Sequence, residues 1–113
     1  MDNTYEMSAE QWERILTALA GRYRRQMLVA LLEHTPQTDG DIDPFNTVTD
    51  SETDAETIQR ELVHNHLPKL EALEYIEWDR ERDTIRRGRQ WDEITPLLKL
   101  VEDHRDELPD GWL

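Results

Sequence analysis

The chain has 113 residues, 26 acidic against 13 basic, a formal net charge of −13, 36% apolar residues and no cysteine. That length holds one domain with a modest core and is too short for a dinucleotide fold or an α/β barrel with a substrate domain attached. The lack of cysteine excludes disulfide frameworks, thiolate metal sites and thiol redox switches. The longest apolar run, Met27 to Leu32, is six residues, where a bilayer span needs roughly 20, so no membrane partner is expected. Met1 to Glu6 carries neither a basic nor an apolar signal region, and a cytoplasmic location is expected. Of the 13 basic residues 11 are Arg, and only Lys69 and Lys99 are Lys. With so many carboxylates this resembles a salt-adapted protein, an ordinary acidic protein being the alternative.

In chain order, residues 8–33 read as two helices. Ser8 is an N-cap with Gln11 closing a capping box, and Trp12, Ile15, Leu16 and Leu19 recur at helical spacing. Gly21 is a stop signal. A second helix from Arg22 to Glu33 buries Tyr23, Met27, Leu28, Leu31 and Leu32. Residues 34–53 form an acidic loop, with Ile42, Phe45 and Val48 as candidate plugs into the core. Thr53 and Glu56 make a second capping box for a helix over 54–73, whose apolar face is Ile58, Leu62, Val63, Leu67, Leu70 and Leu73. Pro68 removes the amide that would bond the His64 carbonyl, predicting a kink or a tightened turn. Residues 75–88 read as a β-hairpin turning at Arg80 to Asp83. A C-terminal helix over 91–108 starts at Trp91 or at Pro96, and its apolar residues spread over more than one face.

Residues 36–57 hold seven acids and no base, while positive charge concentrates in Arg22, Arg24 and Arg25 and in Arg80, Arg82, Arg86, Arg87 and Arg89. A helix followed directly by an arginine-bearing hairpin is the arrangement of a winged helix-turn-helix, in which the helix enters the major groove and the wing grips phosphate or the minor groove. The fold class expected is therefore mainly α with a small β-hairpin wing, dimeric through its terminal helices. The stretch His66-Leu67-Pro68-Lys69-Leu70 with the following Tyr75-Ile76-Glu77-Trp78-Asp79, and Leu19 to Leu28 with its arginines, resemble haloarchaeal ArsR-like winged-helix transcription regulators along nearly the whole chain. The resemblance implies a DNA-binding regulator with an oxidative-stress link. One departure stands out. Residues 36–52 show no helical periodicity where a positioning helix belongs, so either a short segment around Phe45 to Val48 or the helix Arg22 to Glu33 fills that role.

By this resemblance Arg60, His64 and Asn65, with Thr57 beside them off the apolar face, fall where such helices meet base edges; Arg pairs with guanine and Asn with adenine. Phosphate or minor-groove contacts fall to Lys69, to Arg22, Arg24 and Arg25, and to the wing arginines Arg80, Arg82, Arg86, Arg87 and Arg89. The bland alternative for the wing is a self-contained network with Glu77, Asp79, Glu81 and Asp83. Cations at a helix N-terminus such as Arg22 to Arg25 oppose the helix dipole unless something negative approaches, either a phosphate or a carboxylate of another subunit. The expected dimer interface is Trp12, Ile15, Leu97, Leu100, Val101, His104 and Leu108. Trp12, Tyr23, Trp78 and Trp91 read as core or interface anchors.

His64 and His66 point about 200° apart on a helix and cannot share a metal. His34 and His104 lack ligand partners nearby in sequence, so neither a metal nor another cofactor is expected. No carboxylate is tied to a nucleophile or a glycine-rich loop, which argues against an enzyme. The partners expected are double-stranded DNA on a pseudo-palindromic site, a second copy of the chain, and bound salt ions. In molar salt the Debye length is about 3 Å, so cations bridging carboxylates to phosphate are needed. The competing reading is a degenerate winged-helix module that binds protein, and a weaker one a small-ligand sensor with a pocket between the terminal helices.

Overall fold

A computed structural model describes residues 7–34 and 41–113. The expectations for Met1 to Glu6 and for Thr35 to Gly40 lie outside the described residues. The chain is mainly helical with one two-stranded antiparallel sheet: α1 (Ala9–Leu19), α2 (Arg22–Glu33), a 3-10 turn (Pro44–Asn46), α3 (Ala55–Glu61), a π turn (Leu62–His66), α4 (Leu67–Ala72), β1 (Ile76–Asp79), β2 (Thr84–Arg87) and α5 (Trp91–Asp103). No described helix is long and apolar enough to cross a membrane.

α1 begins at the Ser8 capping box, with Gln11 N donating to Ser8 Oγ at 3.1 Å and Ser8 N to Gln11 Oε1 at 2.8 Å. α1 ends at Leu19 with Ala20 as C-cap, just before Gly21, and Gly21 is also the N-cap of α2. α2 runs through the centre and packs on both α1 and α5. Its buried face is Arg24, Met27, Leu28 and Leu31, with Val29 beside them. In the acidic loop Val48 and Pro44 are buried, and Ile42 and Phe45 pack against the core. Only one 3-10 turn forms there among the described residues, in the place a positioning helix would take.

α3 starts one residue later than Thr53 would dictate. Asp54 is the N-cap and accepts from Thr57 N at 2.7 Å, while the Thr53 hydroxyl donates to Asp50 Oδ2. α3, the π turn and α4 form one continuous helical rod over 55–72. The turn before Pro68 is widened, not tightened: Leu67 N reaches back five residues to Leu62 O. A π turn adds one residue to the circuit, and here it accommodates a proline whose ring would otherwise crowd the carbonyl four residues earlier. Leu62 and Leu67 are thereby both fully buried although five residues apart.

The hairpin pairs Ile76 with Arg87, Glu77 with Arg86, Trp78 with Ile85 and Asp79 with Thr84. Asp79 Oδ1 accepts from the amides of Glu81 and Arg82, which folds the tip. Ile42 exchanges two backbone hydrogen bonds with Ile85, at 3.0 and 2.8 Å, adding a third, one-residue edge on the β2 side. Gly88 allows the strand end to pass tightly beneath Glu74: a Cβ there would lie 2.5 Å from Glu74 O and 2.7 Å from Ile76 N. α5 starts at Trp91, and Pro96 lies inside it, with Thr95 Oγ1 bonding Trp91 O at 2.8 Å. A polar triad ties the layers. Tyr75 donates its hydroxyl to Glu93 Oε2, which also accepts from Arg14 Nε at 3.1 Å, and burial together with Glu93 pushes the Tyr75 phenol well above its ordinary range.

Candidate nucleic-acid interface

The rod turns Leu62, Leu67 and Leu70 inward. That leaves Arg60, His64, Asn65 and Lys69 exposed along its outer side, with Thr57 half-buried one turn before Arg60. The extra residue of the π turn shifts the phase of α4 relative to α3, so Lys69 follows Asn65 along the row that starts at Thr57 and Arg60. Arg60 lies 3.9 Å from Glu56 on the same exposed surface and also acts at a distance on Asp54.

Each wing arginine has a partner, and the partners differ in kind. Arg82 lies 3.9 Å from Asp79, Arg86 3.8 Å from Asp41 and 3.5 Å from Glu77, and Arg89 3.5 Å from Glu74, all with exposed guanidinium groups. Arg80 makes a closer pair with Glu71 at 3.0 Å and stacks 4.1 Å from the Trp78 ring centroid. Arg87 is different. Its Nε donates to Leu31 O, and its Nη2 to Leu31 O, Leu32 O and His34 O, the last at 2.9 Å. The guanidinium also lies 5.2 Å from the Trp91 ring centroid. Arg87 is therefore no phosphate-facing residue in this structure; it caps the C-terminal carbonyls of α2, where positive charge suits the dipole. The signal was in the strand: side chains alternate, Ile85 faces the core, and residue 87 shares its face.

At the other end of α2 the three arginines separate. Arg25 is spent inside the fold, with Nε on Trp112 O at 2.9 Å, Nη1 on Leu19 O at 2.7 Å and its guanidinium 4.2 Å from the Trp112 ring centroid. Arg24 is only 9% exposed. Helical spacing foretells this, since residue 24 shares a face with Met27, Leu28 and Leu31. Its Nη1 lies 3.3 Å from His66 Nδ1, its Nε has no hydrogen-bond partner among the described residues, and burial lowers the guanidinium from its ordinary range. Burial first, and Arg24 second, likewise hold the His66 imidazole below its usual range. Arg22 Nε is also buried without a hydrogen bond.

Of the residues expected at a dimer interface, Ile15 is fully buried in the core of this chain, because it points to α2 and not outward. Trp12 at 38% and Leu100 at 55% are exposed, and Leu16, one helical turn from Trp12, is more exposed than either at 57%. Leu97, Val101 and Leu108 are half-buried, and His104 is exposed with Nδ1 3.5 Å from Glu107. A groove of about 590 Å³ runs between α2 and the C-terminal segment, lined by residues such as Gln26, Glu33, Arg105 and Leu113, away from the rod.

Residues 16–86 match the model of a family described as a domain of unknown function (DUF7344). The chain belongs to the DUF7344 family. The DUF7344 match runs from α1 to the penultimate residue of β2, so it takes in both ends of α2, the whole rod and nearly all of the hairpin. α5, with its exposed Leu100, lies beyond the DUF7344 match, as does Trp12 at the other end. No curated protein and no solved structure matches the chain.

Proposed function

We propose that this chain is a homodimeric, cytoplasmic winged helix-turn-helix regulator of transcription that binds double-stranded DNA sequence-specifically. The observation that carries the reading is the exposed row Arg60, His64, Asn65 and Lys69 on the rod, followed at once by a hairpin with outward-facing Arg82, Arg86 and Arg89. Exposed ion pairs at 3.5 to 3.9 Å contribute little to stability, so a phosphate replaces these carboxylates at small cost. In this reading Arg60 and Asn65 meet base edges in the major groove, and Lys69 with the outward wing arginines holds the backbone. The Ile42–Ile85 bridge supports a winged-helix order, with a short edge strand before the rod. Trp12, Leu16 and Leu100 supply the apolar surface for a second copy.

The second reading is a protein-binding module on the same scaffold, favoured by the internal pairing of every wing arginine. Selection from a random duplex pool in molar KCl, followed by anisotropy on the enriched sequence, separates the two. The regulator enriches a pseudo-palindromic site. Arg60→Ala or Asn65→Ala then weakens binding to it by roughly tenfold or more while sparing random duplex. A pool that enriches nothing in any salt, from a protein that is folded and dimeric, would sink the regulator reading in favour of the module.

A further inference from the structure

The rod meets the start of α2 through the His66 ring. His66 lies in the π turn and sets the edge of its imidazole against Gly21, where a Cβ would lie 3.3 Å from His66 Cε1. It meets the Tyr23 ring edge-on, with centroids 5.5 Å apart and planes at 78°. Its Nδ1 lies 3.3 Å from Arg24 Nη1. A guanidinium carries donors and no acceptor, so this contact exists only while Nδ1 keeps its lone pair, in the neutral ring with its proton on Nε2. A second proton turns the pair into donor facing donor and cation facing cation. Arg24 is only 9% exposed, so little water screens the two charges.

The surroundings do not absorb that charge. On α2, Tyr23 presents its ring to His66 and commits its hydroxyl to Asp50 at 2.7 Å, and Asp50 is further engaged by the Thr53 hydroxyl and the Glu52 amide. On α3, Glu61 favours the charged ring, but burial and Arg24 outweigh it and the imidazole stays below its ordinary range. Gly21 closes one side of the ring at contact distance. A protonated His66 therefore relieves the repulsion by moving out of the contact, and the π turn moves with it. Leu67 N bonds Leu62 O across that turn, and Leu62 and Leu67 are fully buried, so its two ends stay in the core while Val63 to His66 between them shift. His64 and Asn65 of the outer row belong to the segment that shifts.

We propose that the His66–Arg24 contact is a proton-operated latch between the rod and α2, closed while the ring is neutral and open once it is charged. Histidine is the side chain whose ordinary titration falls between about pH 5 and 8. Here burial and Arg24 place the step below about pH 6.5. Closed, the latch fixes the π turn and with it His64 and Asn65; open, it frees them while the core anchors hold. Its consequence for duplex binding, a loss of base discrimination on acidification, rests on the DNA-binding reading. The latch itself does not.

The test is an NMR pH titration of the full chain in molar KCl. The His66 ring protons report charge, and the NOE between His66 Hε1 and the Gly21 α-protons reports contact. Both are expected to change reversibly in one step with a shared midpoint, below about pH 6.5. In Arg24→Met the midpoint is expected to rise and the NOE to persist through it, since no cation faces the charged ring. His66→Gln keeps an acceptor for Arg24 and loses the proton, so the pH dependence that His66 imposes on the Gly21 and Tyr23 amides is expected to vanish. This variant keeps the test decisive should Arg24→Met fail to fold. An NOE that survives protonation of His66, or α2 amides in His66→Gln that still shift as in the parent chain, overturns the latch. Anisotropy on the enriched and random duplexes over the same pH range then tests the consequence. The ratio of the two affinities is expected to fall by about fivefold or more as the latch opens, the loss of one base contact, and to stay level in His66→Gln. A level ratio in the parent chain overturns the link to base contacts. Duplex that binds at no pH counts against the regulator reading alone, since the NMR step stands apart from it.

Discussion

At the C-terminus of α2, Arg87 arrives from a strand 56 residues away and gives its donors to the last carbonyls of the helix. At the N-terminus of the same helix, Arg22 and Arg24 sit where a carboxylate would normally be, and their Nε groups are buried without acceptors. The first arrangement matches charge to dipole and is complete within the chain; the second opposes charge to dipole and is met only in part, by the His66 ring for Arg24 and at a distance by the Asp50 carboxylate for Arg22. Two arginine clusters that look alike in composition therefore do opposite things. Counting arginines along a sequence measures neither the positive surface nor the binding capacity of a protein, because a guanidinium with three carbonyl partners is part of the frame.

The largest effect expected follows from breaking the completed end. Arg87→Ala leaves the α2 carbonyls and the hairpin unlinked and should cost about 3 kcal/mol in urea unfolding, with Arg87→Lys recovering only part, since one ammonium cannot reproduce the fork. A smaller change of opposite sign is expected at the incomplete end. In chloride buffer Arg24→Met should stabilise the fold by about 1 to 2 kcal/mol, because an apolar side chain replaces a buried and uncompensated charge; destabilisation in that buffer would mean that Arg24 is satisfied by the His66 contact alone.

Smaller still is a pH effect. His66 is held below its ordinary value in the folded chain, so the unfolded chain takes up the proton first as pH falls. Its contribution is fully present above about pH 6.5 and declines below that. His66→Gln should flatten the stability profile below about pH 6.5, in a region where Arg24, Glu61 and the Tyr23 ring are its neighbours. The smallest effect belongs to the exposed wing: Arg89→Ala should change stability by less than about 0.5 kcal/mol, yet it should weaken duplex binding uniformly across sequences and reduce its salt dependence.

Much of the frame was legible in the sequence because it is local. The Ser8 capping box, the α2 apolar face, the hairpin and the terminal helix each declare themselves within a dozen residues. What was not legible depends on partners far along the chain. Arg87 and Leu31 meet only after the hairpin folds against α2. Ile15 looked like interface and is core, since one helix face carries both Ile15 and its exposed neighbours Trp12 and Leu16, and only the position of α2 divides them. The widened turn had a trace in the sequence, the five-residue interval between Leu62 and Leu67, but Pro68 alone is equally consistent with a kink. For the candidate site, the sequence reading put Arg86 and Arg87 together as phosphate contacts although strand alternation separates them, and the partners of Arg22 and Arg24 emerge only from three dimensions.

The widened turn in the rod also works as a phase setting. α4 is anchored by Leu67 and Leu70, while α3 has no fully buried residue and leans on the core through the partly buried Ile58. Removing one residue from 62–66 would turn the first two helical turns by roughly 100° about their own axis while leaving the anchors seated. Thr57 and Arg60 would swing away from the outer row, and different side chains would take their place. A one-residue change in length here alters what the first half of the rod presents and also unseats Leu62 and Ile58, so the widened turn ties the outer row of the rod to its seating in the core.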